Sequence, residues 1–170
     1  MDEPATESDG VADIRITRDD STGSQRVAAG IWARATAKRD SLLVPAPVEK
    51  KLPGIQHRLS TGAGSLHVAH LRGEPAGFAL VVTHESVLEL VYLAVAPEAW
   101  GAGIGRSLLA YTEDLARVTG VGGLELWVID DNKRAVQVYE RSGWKSTDDR
   151  KISAGRLERR LVKELSRELN

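Results

Sequence analysis

An α+β fold, with helices packed on the faces of one sheet, is predicted by three features of this 170-residue chain. Apolar segments of strand length are interspersed with segments of helical period. Two of those strands, Leu66–Leu71 and Phe78–Val82, flank the turn residues Arg72-Gly-Glu-Pro75 and read as a hairpin. A third strand, Val87–Ala96, turns at Pro97 and crosses Gly101, Gly103 and Gly105 into an amphipathic helix.

Composition bounds the rest. With 42% hydrophobic and 28% charged residues the chain is an ordinary globular one. Its length suits a single domain, expected over residues 11–170, after an acidic, small and polar disordered tail over residues 1–10. Twenty-three Lys and Arg against 24 Asp and Glu leave a net charge of −1, so no electrostatic case exists for a nucleic-acid or membrane partner. There is no cysteine, which excludes disulfides, thiolate zinc sites and a cysteine nucleophile. No basic-then-apolar leader opens the chain, and no apolar run approaches the ~18 residues of a membrane span. A cytoplasmic protein is the expectation.

The elements follow in order. Ile14 and Ile16 alternate with polar neighbours in a half-exposed strand, and Asp20–Ser24 supplies caps for a helix over about Gln25–Arg39. Pro45 and Pro47 break the chain before a second helix, Val48–Ser60, disturbed at Pro53-Gly54. The three-strand meander comes next. In the helix after the glycines, Ile104, Leu108, Tyr111, Leu115 and Val118 recur at steps of four and three, which predicts one apolar face. Leu124–Ile129 is another strand, and Asp130-Asp-Asn132 caps a short helix ending at Gly143. Trp144 opens a further strand, Asp148–Gly155 reads as a polar loop, and Leu157–Leu165 as a closing strand.

Three places could carry chemistry. The glycine loop leaves free backbone amides at the positive end of a helix dipole, an arrangement that suits a pyrophosphate. An isolated Gly-rich turn is as often a packing device. Glu89 is the carboxylate in an otherwise apolar strand, so it needs a partner or a raised pKa if buried, and would then serve as a general base. At the wetter start of the strand it would merely be solvated. Tyr139 shares a helical face with Asn132 and Ala135, and its phenol could donate a proton to a departing thiolate. A lone tyrosine is more often core. His57, His67, His70 and His84 show no metal-ligand spacing, so no metal is expected, and His84 stands as a reserve base.

Trp100-Gly-Ala-Gly-Ile-Gly105 and Leu126-Trp-Val-Ile-Asp-Asp-Asn-Lys-Arg-Ala-Val-Gln-Val-Tyr-Glu-Arg-Ser-Gly-Trp144 together resemble the two motifs of the GNAT N-acetyltransferase superfamily. The first matches Gln/Arg-x-x-Gly-x-Gly/Ala except that Trp100 replaces Gln or Arg. The second carries Asn, Ala and Tyr-Glu-x-x-Gly-Trp in the family's order. The likeness covers Gly73–Trp144. It implies a mixed, mostly antiparallel sheet of six to seven strands with about four helices, splayed at the strand that receives acetyl-CoA.

The same resemblance implies the roles. Leu93, Ala94 and Val95 would border the pantetheine arm, which pairs like an extra strand. Gly101, Ala102, Gly103, Ile104, Gly105 and Arg106 would hold the pyrophosphate. Asn132 would contact the arm, Tyr139 would protonate the thiolate, and Glu89 would take the amine proton. Acetyl-CoA is then the cosubstrate and a small primary amine the acceptor. The acceptor is expected between the 25–60 helices and the 148–153 loop, where Asp148 and Asp149 would attract a cation and Trp32, Arg34 and Arg58 would line the pocket. A protein or peptide acceptor, and a non-catalytic CoA-binding protein, are the alternatives. Family members often pair, so a homodimer is one expectation.

Overall fold

The computed structural model describes residues 13–166, so the tail expected over residues 1–10 lies outside the described residues. The elements are β1 (Ile14–Arg18), α1 (Thr22–Arg39), α2 (Val48–Ser60), β2 (Gly64–Leu71), β3 (Glu74–Thr83), β4 (Val87–Val95), α3 (Ile104–Thr119), β5 (Gly123–Ile129), α4 (Lys133–Arg141), β6 (Lys145–Ser153) and β7 (Arg156–Glu164). The strands form one seven-stranded sheet in the order β1-β2-β3-β4-β5-β7-β6. Only β4 and β5 run parallel; the other neighbours are antiparallel. The expected mixed sheet and four helices are therefore present.

Helices cover both faces. Ile31, Ile55, Leu66, Phe78 and Leu80 build the core beneath α1 and α2. Leu88, Leu90, Ile104, Leu108, Leu124, Leu126 and Leu161 build the core of the opposite face, beneath α3. Tyr139 of α4 packs against that second core, and Lys163 of β7 ties α3 to the end of α4 by donating to Glu113 and to the Ser142 carbonyl. Burial of these apolar side chains is what drives the helices onto the sheet.

Three expectations need correction. Val118 is 84% exposed rather than part of the α3 face. The buried line of α3 is Ile104, Leu108, Leu109, Thr112 and Ala116. Small Thr112 and Ala116 belong to this buried line, and the Thr112 hydroxyl is satisfied by donating to the Leu109 carbonyl at 2.8 Å. Residues 148–153 are not loop but the outer part of β6, paired with β7 through Arg150–Ser153. Their polarity reflects an exposed edge strand, where charged side chains are expected. The β2–β3 turn shrinks to Arg72-Gly73, both at positive φ, with Glu74 and Pro75 already in β3. Pro53 lies inside α2, as expected, where its missing N–H removes one intrahelical bond without ending the helix.

Candidate active site

The site begins as a defect in the sheet. β4 and β5 pair only over Val87–Leu90 and Gly123–Leu126, and beyond that they part. A bulge in β4 falls at the same place, where Leu80 faces Tyr92 but Val81 faces Leu90, leaving Val91 as the extra residue. Beyond the bulge Ala96 donates to the Ala76 carbonyl at 2.8 Å. By antiparallel alternation Tyr92 and Ala94 spend their N–H and C=O on β3, and those of Leu93 and Val95 point into the opening. Of the three expected strand residues, Leu93 and Val95 thus offer backbone groups. Ala94 offers none; its side chain lies in the α1–α2 core.

The glycine loop lies beyond the end of β4. Gly101 and Gly103 have φ of +88° and +86°, the left-handed region that favours glycine, and a Cβ at either would enter open space. The amides of Gly101, Gly103, Ile104, Gly105 and Arg106 have no protein acceptor among the described residues, as the first turn of α3 requires. The Ala102 amide is the exception, turned back to the Ala99 carbonyl at 3.3 Å. An uncovered row of donors at a helix N-terminus fits a pyrophosphate.

Trp100 has a defined job. Its indole Nε1–H donates to the Val95 carbonyl at 2.8 Å, so that carbonyl is already engaged from the opening side. Lys38 of α1 and Arg134 of α4 stand 5.6 and 5.3 Å from its ring centroid. Neither cation has a carboxylate partner within 4.0 Å among the described residues.

Glu89 is not left unpaired. Its carboxylate, 14% exposed, accepts from His84 Nε2 at 2.8 Å, and His84 itself is 47% exposed. The two sequence-derived base candidates therefore form one pair. Glu89 shares its sheet face with Glu125, its register partner on β5. Arg160 of β7 donates to Glu125 at 2.9 Å and to Asp149 at 3.2 Å. Tyr92, brought to this face by the bulge, stacks on Trp32 with centroids 4.2 Å apart. Trp127, two residues after Glu125, projects on the same side of β5.

The α4 residues approach from the other face. Asn132 Oδ1 accepts from the Ala135 amide at 3.2 Å and caps α4, which leaves its amide N–H groups free. Tyr139 lies edge-on to Trp144, centroids 6.0 Å apart, and makes no hydrogen bond among the described residues. Burial pushes its phenol up to about 12, so it stays protonated through the neutral range. Glu89 thus lies on the α1–α2 face and Tyr139 on the α3–α4 face of the sheet that parts between β4 and β5.

Three of the residues around this cleft escaped the sequence reading. Glu125 and Trp127 occupy alternate positions in Leu124–Ile129, and that alternation was their signal. Arg160 had none, since its position depends on the β5–β7 register. Of the proposed liners, Trp32 is present, Arg34 pairs with Glu98 at 3.3 Å, and the Arg58 backbone instead packs on Gly64. Asp149 is engaged by Arg160, whereas Asp148 is exposed and makes no ion pair among the described residues. No group of three metal-ligating side chains occurs among the described residues, and none of their helices is long and apolar enough to cross a membrane.

Known proteins share these features. The family model described as Acetyltransferase (GNAT) family matches residues 33–144. A mycothiol acetyltransferase of Beutenbergia cavernae is 43% identical over 56 residues, 33% of this chain and 19% of that protein. A streptothricin acetyltransferase of Streptomyces lavendulae is 39% identical over 74 residues, 42% of this chain and 39% of that one. The chain thus spans well under half the length of these curated relatives. The crystal structure of the PaiA N-acetyltransferase from Thermoplasma acidophilum, in complex with coenzyme A, superposes with a TM-score of 0.70. That match covers 89% of this chain and 99% of that one at 18% identity, a likeness of fold.

Proposed function

Because the chain belongs to the acetyltransferase (GNAT) family, we propose that it transfers acetyl from acetyl-CoA to the primary amine of a small molecule. The observation that carries the proposal is the opening between β4 and β5, with the Leu93 backbone groups and the Val95 N–H free along it and free loop amides beyond its end. Leu93 and Val95 would pair with the pantetheine arm, and Gly101, Gly103, Ile104, Gly105 and Arg106 would hold the pyrophosphate by their N–H groups. The Asn132 side-chain amide would donate to the arm.

Bound acetyl-CoA would supply the activated acetyl thioester. Glu89, hydrogen-bonded to His84, accepts the proton that must leave the ammonium before its nitrogen can attack. The Leu93 N–H is aimed into the opening, where it can stabilise negative charge on the acetyl oxygen. Tyr139 returns a proton to the sulfur as the C–S bond breaks. Holding both substrates in one narrow opening supplies much of the rate.

The test is CoA release from acetyl-CoA over a panel of small amines and peptides. Tyr139→Phe should lower the rate by ~10²-fold, in the range of general-acid loss, with acetyl-CoA affinity nearly unchanged. Equal rates would remove the acid role. Turnover with peptides alone would move the acceptor to a protein chain, and tight CoA binding with no turnover would make this a CoA-binding protein.

A further inference from the structure

The α1–α2 face beside the opening carries charge of both signs. Its floor carries carboxylates: Glu89, Glu125 and Asp149, with Arg160 shared between the last two and His84 beside the first. Its banks carry two indoles, each with an ammonium on its face. Lys51 of α2 lies 4.7 Å from the Trp32 centroid, and Lys151 of β6 lies 4.4 Å from the Trp127 centroid. Neither lysine has a carboxylate within 4.0 Å among the described residues, although Glu158 is the cross-strand neighbour of Lys151. Asp40 at the end of α1 reaches Arg156 at the start of β7 at 3.7 Å, so the two banks meet at the rim. Arg39 pairs with Asp40 there, and the rim stays net positive.

We propose that the acceptor is a zwitterionic amine of the amino-acid type, with its ammonium at Glu89 and its anionic group held by Lys51 and Lys151. The inference rests on the acetyl-transfer reading and narrows its substrate. A bare amine would leave both lysines unused, and a second cation would meet them with repulsion. Partial burial and the nearby Arg39 already lower the Lys51 ammonium's pKa, a cost that an arriving anion relieves. The indoles and the Trp32–Tyr92 stack flank the body of the molecule, which suits an aromatic or apolar side chain.

The experiment compares matched pairs: phenylalanine with 2-phenylethylamine, and 4-aminobutyrate with butylamine. The carboxylate-bearing member of at least one pair should be acetylated with kcat/KM at least ~10-fold higher. In the Lys51→Met, Lys151→Met double variant, that preference should fall to near parity while the bare amine's own rate holds. Equal use of both members by the unaltered protein overturns the inference and leaves acetyl transfer standing. So does a preference that survives in the double variant. No acetylation of any amine overturns both.

Discussion

Trp100 is the residue at which this chain departs from its family's phosphate motif, and the structure gives the departure a physical content. The indole N–H is spent on the Val95 carbonyl and does not stand in for a motif Gln or Arg, but the ring face can carry cations. Lys38 and Arg134 stand on that ring beside the row of free amides, and neither is neutralised by a carboxylate among the described residues. Trp100→Ala should release both and weaken CoA binding by ~10-fold, within the range of two cation–π contacts. Acetyl-pantetheine, which lacks the phosphates, should bind the two proteins alike in a calorimetric titration. Equal CoA affinity would leave Trp100 with its Val95 contact alone.

At the scale of elements, β2 and α3 are joined by a buried imidazole. His67 is 1% exposed, with Ser65 Oγ 2.7 Å from one ring nitrogen and the Tyr111 hydroxyl 2.8 Å from the other. Burial, with Arg18 nearby, pushes its pKa down to about 4 from 6.5. A depressed folded-state value means that the unfolded chain binds the proton first. The contribution is therefore complete above about pH 6.5 and is lost as pH falls toward about 4. Its size is on the order of 1–3 kcal/mol. Denaturant unfolding from pH 7 to pH 4 should show this slope, and His67→Gln should flatten it. A slope unchanged by the substitution would place the acid sensitivity elsewhere. Gly77 does comparable work for α3: a Cβ there would come within 2.8 Å of Ile104 and 3.0 Å of the Ala94 carbonyl, so only glycine lets the helix sit this close.

Over the whole molecule, what could be read in advance depended on whether the determining contacts were local. Helix caps, strand lengths and the glycine loop are set by neighbours in sequence, and α2 runs over the expected Val48–Ser60. Tyr139 and Glu89 stood out because a family motif or an isolated charge marked them. Arg160, the His84–Glu89 bond and the side that Tyr92 faces depend on strand register and on one extra residue, Val91, which no periodicity reveals. Polar β6 reads as loop in sequence because it is an edge strand with no buried face to mark it. Ligand linkage operates at this scale too: acetyl-CoA at 100 times its Kd should stabilise the fold by about 2.7 kcal/mol and raise Tm by several degrees. A Tm independent of acetyl-CoA at that ratio would rule out binding to the folded state. The same opening bears on how long the protein lasts. A sheet with two strand edges parted in its middle is incomplete as polypeptide, and a non-peptide arm lying between them would finish it. Proteases that cleave transiently opened chains would then remove the protein faster when acetyl-CoA is scarce, so that turnover in the cell would follow the supply of that ligand.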